Sequence, residues 1–399
     1  MDIENTRKDF PSLNQDLNGK PIIYFDNACM TLRPRQVIDA MNEYYERFPG
    51  CAGRSIHKFG TMVTERYEKA RATMAKFINA SKAEEIIFTR NTTEGINLVA
   101  FSLGLEKGDI VITSDREHNS NLLPWQILTE RKGIKHKVLR SKEDETFDIE
   151  AFRNEVRGAK LVSLVHTSNI DGYTLPVKEI IKIAHDAGAL VMLDSAQAIP
   201  HKPVDVRDLD VDFLAFSGHK MLGPTGTGVL YAKYELLEKL EPFIVGGDTV
   251  EKTTYDTCVF LKPPEKFEAG LQNYAGAMGL AAAADYLMNI GLDKIEQHEK
   301  SLASYLREEM KKIEGLKIIG AENEGGVISF TMEGINYHDI AMIMDQTSNI
   351  MMRSGQHCAH SWFESRGIKG TARVSLYLYN SIEEAKRFIE QLKEVAKLG

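Results

Sequence analysis

The segment Phe216-Ser217-Gly218-His219-Lys220-Met221-Leu222-Gly223-Pro224 sets a lysine directly after an apolar run, among Ser, His and several glycines. An amine held at the end of a buried strand can form a Schiff base with a carbonyl cofactor. A surface lysine in a Gly-rich turn is the plainer alternative. Val191-Met192-Leu193-Asp194-Ser195-Ala196-Gln197 ends another apolar run on a carboxylate. A buried Asp needs a partner. A protonated pyridine nitrogen is one such partner, and a cap on the following helix is the alternative. Asp194 precedes Lys220 by 26 residues, about one strand–connection–strand unit, so both side chains can reach neighbouring strand ends. Thr89-Arg90-Asn91-Thr92-Thr93-Glu94-Gly95 opens a helical pattern after a strand pattern. Hydroxyls and free N–H groups there suit an anion, or simply cap a helix. Cys358 has Arg353, His357 and His360 close by in sequence, and positive neighbours favour a reactive thiolate. His357, Cys358 and His360 also cluster as metal ligands do. Zinc sites draw four ligands from two separated pairs, however, so no metal site is assigned. Cys29, Cys51 and Cys258 read as small buried hydrophobes.

These residues need a scaffold. Between Ile22 and about Ala232, apolar runs alternate with amphipathic stretches. Strand candidates are Glu85–Thr89, Asp109–Thr113, Leu161–Val165, Leu190–Asp194 and Phe213–Phe216. They are short and apolar on both faces, as a buried parallel sheet requires. Pro176 to Gly188 reads as a helix, with Val177, Ile180, Ile181 and Ala184 on one face. The alternation predicts a doubly wound α/β domain over residues 21–265. Beyond it, Gly276–Met288 and Asp293–Gly315 read as helices and Val327–Phe330, Ile350–Met352 and Arg373–Leu376 as short strands. A last helix starts at the capping-box pair Ser381 and Glu384 and runs to about Lys397. This predicts a smaller α+β domain over 266–399, joined by the N-terminal residues 1–20.

At 399 residues and ~150 residues per domain, a fold of two to three domains is expected, large enough to need no staples. With 49 basic and 57 acidic residues the net charge is −8, which argues against nucleic acid or an anionic membrane as partner. The longest apolar stretch, Ala269–Ala284, is 16 residues, short of the ~18–20 a spanning helix needs. The first residues have no basic or apolar signal-peptide region. Four cysteines with no CxxC spacing suit a reducing cytoplasm rather than a disulfide framework.

The motifs occur in a telling order. Tyr24-Phe25-Asp26-Asn27-Ala28, Thr92-Thr93-Glu94, Glu117-His118, His166-Thr167-Ser168-Asn169, Asp194-Ser195-Ala196-Gln197 and Ser217-Gly218-His219-Lys220 together resemble the class V aminotransferases, pyridoxal 5'-phosphate (PLP) enzymes of fold type I. Arg353-Ser354-Gly355-Gln356-His357-Cys358-Ala359 and Arg373-Val374-Ser375-Leu376 resemble the cysteine loop and substrate arginine of group II, SufS-like cysteine desulfurases. The resemblance covers nearly the whole chain. It implies that Lys220 is the Schiff-base lysine, that Asp194 pairs with the pyridinium nitrogen, that His118 stacks on the ring and that Gln197 bonds the ring oxygen. It places Thr93, Ser217 and His219 on the phosphate, with Thr92 adjacent, and Asn169 near the ring oxygen and the substrate carboxylate. Arg373 would clamp that carboxylate, His57 would belong to the substrate site, and Cys358 would accept sulfur.

The activity so implied converts L-cysteine to L-alanine with a persulfide on Cys358. The sulfur would pass to an acceptor or scaffold protein for iron–sulfur cluster assembly or related sulfur-compound synthesis, in a cytoplasmic homodimer. Selenocysteine lyase, or another C–S lyase on the same fold, is the alternative activity. This chain departs from the family pattern at several places. Gly270-Leu271 stands where Gly-Thr is usual, and that Thr normally reaches the partner subunit's phosphate. Cys29-Met30 stands where Ala-Thr is common, Gln356 where His is more usual, and Ser361-Trp362 replaces Pro-Leu.

Overall fold

The computed structural model describes residues 2–17 and 19–399, so positions 1 and 18 of the N-terminal segment lie outside it. A seven-stranded sheet forms the centre of the large body. Its strands in chain order are β1 (Ile86–Thr89), β2 (Ile110–Ser114), β3 (Lys135–Leu139), β4 (Ala159–Val165), β5 (Leu190–Asp194), β6 (Phe213–Ser217) and β7 (Gly228–Ala232). Across the sheet the order is β1-β7-β6-β5-β4-β2-β3. Neighbours from β6 to β3 run parallel, and β7 is antiparallel to both β1 and β6.

Apolarity on both faces is put to use. Leu193, Leu214, Phe216 and Val229 pack into one cluster, while Met192, Phe213, Ala215 and Leu230 pack into another across the sheet. Each fully buried side chain of this kind contributes about 1.5–3 kcal/mol. The helix Val177–Asp186 follows Pro176 closely, as its Pro start and apolar face require, and lays Ile180, Ile181 and Ala184 on the sheet.

The smaller body has an antiparallel sheet of β8 (Leu316–Ile319), β9 (Val327–Met332), β10 (Arg353–Gly355) and β11 (Thr371–Ser375), in the order β8-β9-β11-β10. Helices Leu292–Met310, Tyr337–Ser348 and Ile382–Ala396 share its core. Ser381 and Glu384 form the capping box read from sequence.

The division expected at residue 265 is corrected in two places. The helix Tyr274–Ile290 packs against helices Arg35–Arg47 and Lys58–Phe77 of the large body. Its glycines and alanines permit this close approach: a Cβ at Gly279 would meet Met41 and Pro224. Conversely, Ile23 and Phe25 belong to the core of the smaller body, because Ile23–Tyr24 pairs in parallel with Ile350–Met351. Among the described residues, no helix is long and apolar enough to cross a membrane.

Candidate active site

Parallel strands place their C-terminal ends on one edge, where a cleft opens. Asp194 ends β5, Ser217 ends β6, and Lys220 follows on a single helical turn, Gly218–Lys220. Strand β7 brings the third element in. Gly228 is in register with Ser217 on one side and Thr89 on the other, so the helix Thr92–Ser102 starts beside Ser217. There Thr92 N donates to Ser217 Oγ at 2.9 Å, and the two hydroxyls lie 2.6 Å apart. Thr93 Oγ1 is 2.8 Å from Ser120 Oγ. Asn91 caps the helix, leaving a nest of hydroxyls and first-turn N–H groups that suits a phosphate.

A cavity of about 210 Å³ gathers Thr92, Thr93, His118, Asn169, Asp194, Gln197, Ser217, His219, Lys220, Cys358 and Arg373 in its wall. Every residue the sequence assigned to cofactor and sulfur chemistry is thus in one place. His57 is the exception. It caps the helix Lys58–Phe77, its Nδ1 accepting from Gly60 N at 3.2 Å, and it does not line this cavity within the chain.

The electrostatics follow from burial. Asp194 accepts from Ala196 N at 3.0 Å, and burial holds its carboxyl above the usual range against the pull of Lys220. The Lys220 amine is lowered by burial, with Asp194 opposing. His118 is held neutral, lowered to about 3 by burial and then by the charges of Lys220 and Arg373. Its Nδ1 accepts from Ser120 N at 3.1 Å. His219 is likewise lowered, to about 4, by burial and then by Lys220.

Arg373, on β11, is 2% exposed. Its Nη1 donates to Asn169 O at 2.8 Å, and Nη2 lies 3.6 Å from Asp26 Oδ1. Burial lowers it to about 10, so it stays cationic at neutral pH. The loop between β10 and β11 carries Cys358. His357 and Cys358 have φ of 50° and 56°, two successive left-handed residues without glycine, each at a cost of roughly 1–2 kcal/mol. Three bonds hold that turn against the cleft. Asn119 N donates to Cys358 O, Asn169 Nδ2 donates to His357 O, and His357 Nε2 meets Thr371 Oγ1, each at 2.7 Å. Cys358 itself is exposed. His357 is lowered to about 2 by burial and then by Arg373, so it does not supply the positive field expected of it; Arg353 and Arg373 share the cavity wall with Cys358. The supposed metal-ligand trio is dispersed, with His360 Nδ1 turned to Asn119 Nδ2 at 2.9 Å.

Among the described residues, four buried polar atoms of side chains that line this cavity have no partner: Asn169 Oδ1, Gln197 Oε1, His357 Nδ1 and Arg373 Nε. Leaving each unpaired costs about 1–3 kcal/mol, so the wall is built for a polar guest. Gln197 spends one Nε2 hydrogen on Ala28 O at 2.7 Å, which leaves its second amide hydrogen and its oxygen for the guest. Sequence reasoning missed Cys29 and Ser120 in the same wall, while Arg353, read as a positive neighbour of Cys358, also lines it. The expectation that Cys29, Cys51 and Cys258 are buried is corrected: Cys29 and Cys51 are half-buried and Cys258 is exposed.

Residues 23–388 match the class-V aminotransferase family, and the chain belongs to it. A probable cysteine desulfurase of Halalkalibacterium halodurans is 41% identical over 398 residues, which is 99% of this chain and 98% of that protein. The apo structure of a cysteine desulfurase from Thermococcus onnurineus NA1 superposes with a TM-score of 0.94 at 42% identity, covering 99% of this chain and 98% of that one. The Escherichia coli cysteine desulfurase CsdA, in an S-sulfonic acid form, gives 0.93 at 32% identity, covering 100% of this chain and 99% of that one.

Proposed function

We propose that this chain is a PLP-dependent cysteine desulfurase, converting L-cysteine to L-alanine and leaving a persulfide on Cys358. The observation that carries the reading is the convergence of Lys220, Asp194, Arg373 and Cys358 on one cavity with unpaired polar atoms in its wall. The residues fit the cofactor. Lys220 would hold its carbonyl carbon, Asp194 its ring nitrogen, His118 its ring face and Gln197 its ring oxygen. Thr92, Thr93, Ser217 and His219 would hold its phosphate. When bound, PLP supplies an electron sink for the charge left at the substrate Cα.

The rest is done by the chain. Arg373 holds the substrate carboxylate through its guanidinium, assisted by Asn169. The Lys220 amine, kept by burial below its ordinary range, takes the proton from the substrate Cα. The Cys358 sulfur attacks the substrate sulfur. A sulfur–sulfur bond forms as the substrate carbon–sulfur bond breaks, and the carbon fragment takes up protons to become alanine. No oxidant is required. The exposed Cys358 then offers its outer sulfur to an acceptor or scaffold protein, for iron–sulfur cluster or related synthesis. The same reading extends to a homodimer in the cytoplasm, where its free thiols stay reduced.

The test is incubation with L-cysteine, assaying alanine and mapping sulfur onto peptides. Wild type should make alanine and carry one extra sulfur on the Cys358 peptide. Cys358→Ser should lose both, because a hydroxyl is a poor sulfur acceptor. Full alanine production by Cys358→Ser would move the enzyme to the C–S lyase class.

A further inference from the structure

A second thiol faces the same cavity. Cys29 lines its wall together with Cys358, Lys220, Arg353 and Arg373, whereas Cys51 lies beside Tyr274 and Cys258 on an outlying hairpin. The turn that carries Cys29 is firmly built. Cys29 N and Met30 N both donate to Asp26 O, at 3.1 and 3.2 Å. Ala28 N donates to Ser375 Oγ at 2.8 Å, and Ala28 O accepts from Gln197. The turn is thus locked to the strand that bears Arg373. The Cys29 sulfur accepts from Arg353 Nη1 at 3.0 Å, and Arg353 is itself steered by Asp26 Oδ2 at 3.6 Å. Arg373, almost wholly buried, lines the same cavity, and its Nε has no hydrogen-bond partner among the described residues. The Arg353 guanidinium thus sits directly on the Cys29 sulfur, where charge would form during exchange.

We propose that Cys29 is a second sulfur-carrying site, taking the outer sulfur of the Cys358 persulfide. The inference rests on the desulfurase reading. The Cys29 sulfur attacks the outer sulfur of the persulfide. A new sulfur–sulfur bond forms at Cys29, the bond to Cys358 breaks, and its electron pair stays on the Cys358 sulfur. The proton given up by the Cys29 thiol is regained by Cys358. One thiol and one persulfide stand on each side, so neither oxidant nor reductant is consumed. Arg353 lies beside the attacking sulfur, and Cys358 is freed for another turnover while the first sulfur waits in a half-buried place.

The experiment uses the holoenzyme with L-cysteine added in small portions, a few equivalents per chain, and no other thiol, followed by alkylation and peptide mapping over time. Wild type should load the Cys358 peptide first and the Cys29 peptide after it, approaching two extra sulfurs per chain. Cys29→Ala and Cys29→Ser should stop at one, on Cys358. Cys358→Ser should load neither. Loading of Cys358 alone in wild type overturns the relay and leaves the desulfurase reading standing. Loading of Cys29 in Cys358→Ser would mean that Cys29 takes sulfur directly from substrate, and also overturns the relay. A Cys29–Cys358 disulfide with released sulfide would show attack on the inner sulfur instead. If cysteine is consumed, no alanine forms and neither residue gains sulfur, the desulfurase reading itself fails.

Discussion

In the function proposed above, the planar fork of Arg373 meets the substrate carboxylate, and a lysine cannot reproduce two parallel N–H bonds. Arg373→Lys should raise KM for L-cysteine by roughly 10- to 100-fold, the equivalent of about 1.5–3 kcal/mol for a hydrogen bond to a charge, with kcat affected less. Steady-state kinetics check this, and an unchanged KM removes Arg373 from the carboxylate. Glu117 offers a pH test beside His118. Burial raises it from 4.5 to about 7, with Ser114 and Asn121 bonded to its oxygens. The folded chain therefore keeps a proton that the unfolded chain releases from about pH 4.5 upward. That stability is full below about 4.5 and is lost as pH rises through about 7, to the extent of roughly 3 kcal/mol. Glu117→Gln can accept from Asn121 through its oxygen and donate to the Ser114 hydroxyl through its amide. It should flatten the loss between pH 5 and pH 7. Urea unfolding of both proteins at the two pH values decides it; equal losses would show that Glu117 ionises normally.

Strand β7 shows how one element sets another's chemistry. A Cβ at Gly228 would lie 2.7 Å from Asn91 Cα and 2.8 Å from Phe216 O, backbone on both sides. Gly228→Ala must push the start of helix Thr92–Ser102 away from Ser217, at a cost of about 1–3 kcal/mol. It should loosen PLP retention on gel filtration as well as lower the melting temperature. Retention equal to wild type would mean that this helix start does not hold the phosphate. The same strand marks where sequence legibility ends. Strands β4, β5 and β6 were readable because they are apolar on both faces. Strand β7 follows Gly223-Pro224-Thr225-Gly226-Thr227 and reads as the tail of a loop. Strand β3, Lys135-His136-Lys137-Val138-Leu139, sits at the sheet edge, where polar residues are tolerated and the apolar signal fades. The ordered motifs fall on the strands that end at one cavity. Cys29 was not legible, because its partner Arg353 is 324 residues away in sequence and nothing local announces the contact.

At the scale of the molecule, the cavity lies where the sheet edge of one body meets β11 and the cysteine loop of the other, and one rim of the large body is left apolar. Ile56, Phe59, Ile244, Val245, Tyr255 and Leu271 are large exposed hydrophobics. Their segments are tied together: Arg54 pairs with Asp248, and Gly270 N donates to Gly247 O at 2.8 Å. Grouped apolar exposure of this kind marks an interface, and closed two-fold pairs are the commonest soluble oligomers. The homodimer proposed above would cover this rim. Leu271, 71% exposed, then lies on that rim, at the position where the resemblance implies a threonine reaching the partner's phosphate, and it has no hydrogen-bond donor in its side chain. Light scattering should give twice the mass of the chain, and a monomer would dismiss the dimer. Leu271→Thr should slow the loss of PLP during dialysis relative to wild type, because it restores a hydroxyl without disturbing the buried core. Retention that is unchanged or weaker in Leu271→Thr, in a protein that still pairs, would mean that the phosphate is held from within one chain, by Thr92, Thr93, Ser217 and His219.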